Sequence, residues 1–307
     1  MDCNFVNNGY ENVVVKDIVT YAPWLVIVRE VNMSKIVFQG ALGAYSNIAS
    51  EKVFPNGNYI PVDTFEEAMS LVQQDKADYA VIPVENSNAG RVTDVHFLLP
   101  QTSLTIVGEY FLRIEHQLLS LPDATMEDIK CVASHPQALA QCSNYLKRYK
   151  LKSISQIDTA KSCIDVIEKK DKSVAVIASS KAGEIYGMKT LASNIENDSN
   201  NTTRFLIMSK NKNLPPLDDN KYITSLVFMV KHIPSSLYHA LGVFAKRDIN
   251  VTKLESYVVN GNFISAQFYI ELEGHCESDN VKKALKELEE YAENMHFLGT
   301  YKADKYR

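Results

Sequence analysis

Cysteine is scarce in this chain, and the way it is scattered excludes two kinds of protein. Cys3, Cys131, Cys142, Cys163 and Cys276 are odd in number and widely spaced, with no CxxC pair and no histidine cluster nearby. Neither a disulfide framework nor a zinc site is indicated, and reduced thiols point to the cytoplasm. Long uncharged apolar runs are also missing. Residues 21–31 are apolar, but Arg29 and Glu30 interrupt them, and no basic n-region or small-residue cleavage site frames them, so neither a signal peptide nor a membrane span is supported. Positive charge is not in excess: a formal net charge of -5 offers no nucleic-acid surface and no polybasic membrane patch. The glycines form no GxxxxGK[ST] loop for a nucleotide phosphate, and no phosphatase, kinase or dehydrogenase motif is present.

What is present is a chain of 307 residues, 46% hydrophobic and 22% charged, a length that suggests two domains. Residues 1–32 read as an extension of unknown role. Met33-Ser34-Lys35 runs straight into the first clear strand and would itself serve as a start of translation, while a docked extra strand at 13–15 or 24–28 stays open. From residue 36 onward, short apolar runs at 36–38, 79–84, 131–133, 173–178 and 205–208 alternate with helical patterns. That alternation predicts an α/β domain over 33–212 with largely parallel strands. Thr64 with Glu67 forms a capping box ahead of Ala68, Met69, Leu71 and Val72.

The polar segments sit at the ends of those runs. Gly40 to Ser46, Glu85-Asn86-Ser87, Ser134-His135-Pro136-Gln137, Asp158-Thr159-Ala160 and Ser179-Ser180 each follow an apolar strand. In an open α/β sheet, ligands bind outside the carboxyl ends of the strands, where helix N-termini offer free N–H groups to anions. Taken singly, each turn has a plainer reading: Gly40 and Gly43 permit a tight turn, Ser134 and Thr159 cap helices, Pro136 occupies a first helical turn, and His135 packs in a loop. Asn201-Thr202-Thr203-Arg204-Phe205 differs in kind, because it sets a neutral hydroxyl beside a guanidinium at a loop-to-strand junction. That pairing suits protonation of a leaving group on an anionic substrate, though capping and ion pairing would also account for it.

After residue 212 the composition shifts. Pro215-Pro216 and Asp218-Asp219-Asn220 mark a linker over 213–222. A strand at 224–230, a helical stripe of Leu237, Ala240, Leu241 and Phe244, and a strand at 249–254 follow. Asn260-Gly261 then signals a hairpin before the alternating Ala266, Phe268, Ile270 and Leu272. A second helix carries Val281, Ala284, Leu285, Leu288 and Ala292, and residues 296–301 close the sheet. The order βαββαβ predicts a ferredoxin-like α+β domain over 223–302, with 303–307 as a tail.

Read in order, the segments GALGAYS, VENSNAGRV, SHPQALAQC, DTA and NTTRF resemble the signature segments of the prephenate dehydratases. The resemblance implies a lyase that converts prephenate to phenylpyruvate, carbon dioxide and water in L-phenylalanine biosynthesis, without metal or organic cofactor. It also implies two α/β lobes, similar to type 2 periplasmic binding proteins, with the site in the cleft between them. Thr203 is then the catalytic proton donor. Arg204 is either a carboxylate clamp or half of a structural ion pair. Asn86, Ser87, Ser134, His135, Gln137, Thr159, Ser179, Tyr45 and Ser46 are the substrate-binding set, and Glu85 is an orienting group.

The second domain resembles an ACT module. Thr252 to Ser256 matches the approach to its ESRP motif, with Tyr257-Val258 in place of arginine and proline, and Ser235-Ser236-Leu237 stands where G-A-L is usual. The resemblance implies L-phenylalanine as effector, bound through Leu237, Glu255 and Ser256, and a homodimer or homotetramer; a domain kept for dimerisation alone is the alternative. Two other functions stay open: an arogenate dehydratase, and a non-catalytic amino-acid-binding sensor.

Overall fold

The computed structural model describes residues 16–20, 26–30, 33–259 and 262–307. The first lobe is built on a five-strand path in the order Asn58–Val62, Lys35–Gln39, Tyr79–Asn86, Thr202–Ser209, Thr105–Arg113. Its first three strands are parallel, and Thr202–Ser209 runs antiparallel to both of its neighbours. The second lobe repeats this plan in the order Lys152–Ser155, Cys131–Ser134, Val174–Ala178, Gln117–Ser120, Lys189–Ala192, with the last two strands antiparallel. Both sheets are therefore mixed rather than largely parallel. The chain leaves the first lobe after Arg113 and re-enters it at Thr202, and the returning strand runs against both of its neighbours.

That reversal positions the site. A strand inserted antiparallel begins where its parallel neighbour ends, so Thr203 pairs with Asn86, the last residue of Tyr79–Asn86. A register shift follows between Arg204 and Phe205, and Phe205 lies opposite Pro83. Proline has no N–H to give a ladder, and a bulge is where a sheet tolerates it. At the capping box, Thr64 Oγ1 accepts from the Glu67 N–H at 3.0 Å, while the Glu67 carboxylate reaches back to the Asp63 N–H at 3.2 Å.

The C-terminal domain has the sheet order Val251–Val259, Asn262–Glu273, Tyr222–Val230, Ala292–Lys302, antiparallel throughout, with helices Ser236–Ala245 and Asp279–Leu288. This is the ferredoxin-like arrangement; the Asn260-Gly261 turn itself lies outside the described residues. One sheet face packs on its own helices through Phe228, Phe268, Ile270, Val243, Phe244 and Val281. The other face, with Val227, Tyr257, Tyr269, Leu298 and Tyr301, joins the core of the first lobe around Ile82, Leu206 and Met208. Gly299, at φ +148°, brings its strand so close to the first lobe that a Cβ would lie 2.3 Å from the Ile106 carbonyl oxygen. Only glycine fits there.

The linker is tied down: the Tyr222 hydroxyl reaches the Pro216 carbonyl at 2.9 Å, and His275 Nε2 lies 2.9 Å from the Pro215 carbonyl. In the extension, Lys16–Thr20 and Val26–Glu30 form an antiparallel ribbon in a sheet of their own. The strand expected near 24–28 therefore pairs within the extension rather than with the lobes, and residues 13–15 lie outside the described residues. Among the described residues, no helix is long and apolar enough to cross a membrane.

Candidate active site

A cleft of about 500 Å³ opens between the two lobes. Its first-lobe wall carries Tyr45, Ser46, Asn86, Arg91, Thr203 and Phe205, and its second-lobe wall carries His135, Gln137, Gln141, Asp158 and Thr159. The size suits a small organic ligand. The helix Tyr45–Val53 starts at the cleft, and its N-cap residue Ala44 has no polar side chain to accept from the first-turn N–H groups, so that end favours an anion.

Three amide side chains form a closed ring beneath Thr203. Asn86 Nδ2 donates to Asn201 Oδ1 at 2.8 Å, Asn201 Nδ2 donates to Gln141 Oε1 at 3.1 Å, and Gln141 Nε2 donates to Asn86 Oδ1 at 3.1 Å. Their orientation is not arbitrary. The backbone N–H groups of Asn88 and Ala89 both point at Asn86 Oδ1, at 3.0 and 2.9 Å, and backbone amides can only donate. Asn86 Nδ2 is therefore the atom that faces Thr203, and it donates to Thr203 Oγ1 at 2.9 Å. The Thr203 oxygen is an acceptor in that bond. Among the described residues its own O–H donates to no protein acceptor, which leaves the proton for whatever occupies the cleft.

The same logic fixes His116. Gln141 Oε1 is an acceptor in the ring, so His116 Nε2, 2.8 Å away, carries the proton. Burial holds the His116 imidazole below its ordinary value against the opposing pull of Gln141 and Glu196, and the neutral ring leaves Nδ1 an acceptor 2.9 Å from the Tyr45 hydroxyl, whose one proton it shares with the Glu115 carbonyl, also at 2.9 Å. Burial also raises the Tyr45 phenol well above its usual range, with Cys142, Glu196 and Glu115 adding to the effect. His135, at the N-terminus of helix Pro136–Gln141, accepts from the Gln137 N–H through Nδ1 at 3.2 Å; burial lowers its pKa, with Asp158 opposing.

Several residues chosen from the sequence do other work. Arg204 follows Thr203 on one strand, so alternation turns it to the opposite face, away from the cleft. It is 4% exposed there and donates to Glu109 at 2.8 Å, Glu271 at 2.7 Å and the Tyr301 hydroxyl at 3.0 Å. Of the two readings offered for it, the ion pair is the one the geometry supports. Ser87 Oγ accepts from the Thr202 N–H at 3.0 Å and closes a loop outside the cleft lining. Ser134, wholly buried, ties adjacent strands by donating to the Ile177 carbonyl at 2.7 Å. Ser179 caps Ala182 N–H at 3.0 Å and donates to the Gly43 carbonyl at 2.5 Å, fastening one lobe to the other. Glu85 pairs with Lys253 at 2.8 Å.

In the second domain, alternation turns Glu255 and Ser256 to opposite faces. Glu255 meets Arg91 at 3.2 Å, Ser256 is exposed, and Leu237 packs on the helix-side core. Residues 303–307, read as a tail, dock: Tyr306 stacks on Phe111 with ring centroids 4.9 Å apart, and Arg307 binds Glu109 and Glu271 at 2.7 Å each.

The sequence reading missed Gln141, His116, Arg91 and Asp158 as cleft groups, and Asn201 as the buried member of the amide ring beneath Thr203. Gln141 carried a signal, since it lies four residues after Gln137 and so on the same helix face. Asn201 and Arg91 stood inside quoted segments, whereas nothing local marks His116.

The family model described as "Prephenate dehydratase" matches residues 36–213. The chain belongs to the prephenate dehydratase family. A 39% identical relative from Komagataeibacter europaeus, a bifunctional N-acyl-homoserine lactone acylase/prephenate dehydratase, aligns over 89% of this chain and 97% of its own. The chloroplastic arogenate dehydratase/prephenate dehydratase 1 of Arabidopsis thaliana is 40% identical over 89% of this chain and 73% of its own. The crystal structure of prephenate dehydratase in complex with L-Phe from Arthrobacter aurescens superposes with a TM-score of 0.83 at 26% identity, over 89% of this chain and 91% of that one. The mixed α/β fold is thus that of prephenate dehydratase structures, and family membership makes the chain a dehydratase enzyme.

Proposed function

We propose that the enzyme converts prephenate to phenylpyruvate, carbon dioxide and water, with Thr203 as the proton donor. The observation that carries this reading is the bond from Asn86 Nδ2 to Thr203 Oγ1, which makes the threonine oxygen an acceptor and leaves its proton without a protein acceptor among the described residues. In the reaction the C4–O bond of prephenate breaks and the hydroxyl takes a proton to leave as water. The electrons of the ring carboxylate's C–C bond complete the aromatic ring as carbon dioxide departs. Aromatisation drives the step, so the protein needs only to fix the pose and supply one proton. As Thr203 gives up that proton its oxygen gains negative charge, and the Asn86 N–H already in place stabilises it.

A second substrate has a specific observation behind it. Asp94 and Asp158 both line the cleft, and either would partner the ammonium that arogenate carries in place of the prephenate side-chain ketone. The acylase half of one relative's name finds less support. Among the described residues no cysteine lines the cleft, and the Thr203 oxygen accepts from Asn86 instead of being paired to a base. L-phenylalanine is the proposed effector, supported by the ferredoxin-like second domain and the L-Phe complex named for the Arthrobacter enzyme. A homodimer or homotetramer formed through that domain is the proposed assembly. The test is turnover of the purified enzyme on prephenate and arogenate side by side, with and without phenylalanine. Product from neither substrate would remove the proposal in favour of an amino-acid-binding sensor.

A further inference from the structure

Among the described residues, one permanent cation lines the cleft, and it is held from the other domain. Among the described residues lining it, Arg91 is the only lysine or arginine, while Asp94 and Asp158 are carboxylates, and burial lowers the basicity of His116 and His135. A dianionic substrate entering this space has a single permanent positive charge to meet. Arg91 lies on the short strand Gly90–Arg91, paired with the end of Tyr79–Asn86, so the backbone that carries Asn86 also carries the guanidinium.

Its other partner is Glu255 of the second domain, with Arg91 Nη1 donating to Glu255 Oε2 at 3.2 Å. Glu255 is one of three alternate residues on strand Val251–Val259 that all reach the rim of the first lobe. Lys253 pairs with Glu85 at 2.8 Å and lies 3.5 Å from Glu255, and the Tyr257 hydroxyl meets His96 Nδ1 at 2.7 Å. A strand with period two presents those three side chains on one face. The Arg91 and Glu255 side chains are 43% and 27% exposed, and a pair so exposed adds little to stability. Its effect lies in where it holds the guanidinium. One donor edge is taken by Glu255, and guanidinium has five N–H donors, so a fork stays free for a carboxylate in the cleft.

We propose that Arg91 is the carboxylate-recognising residue of this cleft and that Glu255, reaching across from the second domain, is its positioning residue. The inference rests on the dehydratase reading, since it takes the ligand to be a dicarboxylate of the prephenate class. Arg91 then sets KM rather than kcat, because the carboxylate it binds is the same before and during the proton transfer at Thr203.

The test is steady-state kinetics on prephenate for wild type, Arg91→Gln, Arg91→Lys, Glu255→Ala and the double variant Arg91→Gln/Glu255→Ala. The expected result is a KM about 10- to 150-fold higher for Arg91→Gln with kcat retained, the loss of charge-assisted hydrogen bonds, and partial recovery in Arg91→Lys. Glu255→Ala raises KM several-fold in the wild-type background and adds nothing in the Arg91→Gln background, as expected of a group acting only through Arg91. An Arg91→Gln enzyme with wild-type KM, or additive effects of the two substitutions, overturns the inference while leaving the dehydratase reading intact. A folded wild type that turns over neither prephenate nor arogenate removes that reading, and this inference with it. Thermal melts of each variant keep a folding defect from being taken for a binding one.

Discussion

Arg204→Met tests the assignment of the TRF arginine to the domain interface. Methionine keeps much of the apolar stem and removes the guanidinium. The Glu109 and Glu271 side chains, 0% and 1% exposed, are then left with Arg307, which binds both but is itself 19% exposed. Removing one partner of a buried pair costs about 3–5 kcal/mol. Arg307 remains, so the low end applies, about 3 kcal/mol, or a melting temperature lower by about 6–12 °C at about 2–4 °C per kcal/mol for domains of this size. The assay is a thermal melt by circular dichroism at neutral pH, with KM for prephenate measured in parallel below the transition. The expected pattern is a large fall in melting temperature with KM close to wild type.

Acid adds a second check. Burial works to raise the Glu271 carboxyl, but Arg204 and Arg307 outweigh it and hold it below its ordinary value. Its contribution is therefore present above the unfolded carboxylate pKa of about 4.3 and is lost as pH falls through the depressed folded value, so the gap between wild type and variant narrows there. An unchanged melting temperature together with a raised KM would refute the reasoning and return Arg204 to the substrate.

Three further outcomes follow from the same geometry. Asn86→Ala opens the amide ring and removes the donor to Thr203 Oγ1, so kcat falls by about 10²-fold or more with a smaller change in KM, measured as phenylpyruvate formation. His96, His116 and His135 are all held below their ordinary value by burial. The unfolded chain therefore binds more protons than the folded one below about pH 6.5, and stability falls from there toward acid; a melting temperature flat between pH 7 and pH 5 would contradict this. Gly299→Ala strains a left-handed backbone against the Ile106 carbonyl and lowers the urea midpoint by the equivalent of about 1–3 kcal/mol or more.

The elements of the fold were legible because their signals are local. The capping box at Thr64, the strand runs and the βαββαβ order each depend on residues a few positions apart. What the sequence could not convey is which strands are neighbours. Nothing near residue 202 says that the returning strand will run between Tyr79–Asn86 and Thr105–Arg113, and with that unknown the strands read as largely parallel. The same gap explains the site. Thr203, Asn86 and His135 stand at strand ends and were found there. His116 enters the cleft only through contacts with Tyr45 and Gln141, residues 71 and 25 positions away. For Arg204 the clamp and the ion pair stay balanced in sequence, because adjacency to Thr203 suggests a shared site, whereas adjacency on a strand means opposite faces. Ser134 and Ser179 sit at strand ends like true ligand groups, but their hydroxyls are spent on the Ile177 and Gly43 carbonyls.

Everything in the proposed chemistry turns on the proton that Thr203 offers to the cleft. The most direct measurement is phenylpyruvate appearance from prephenate for wild type and Thr203→Val side by side, with matched thermal melts. Rapid product from wild type and a loss of about 10²–10⁴-fold in kcat for the variant, at an unchanged melting temperature, is the expected result. A folded Thr203→Val enzyme with near-normal turnover would contradict it.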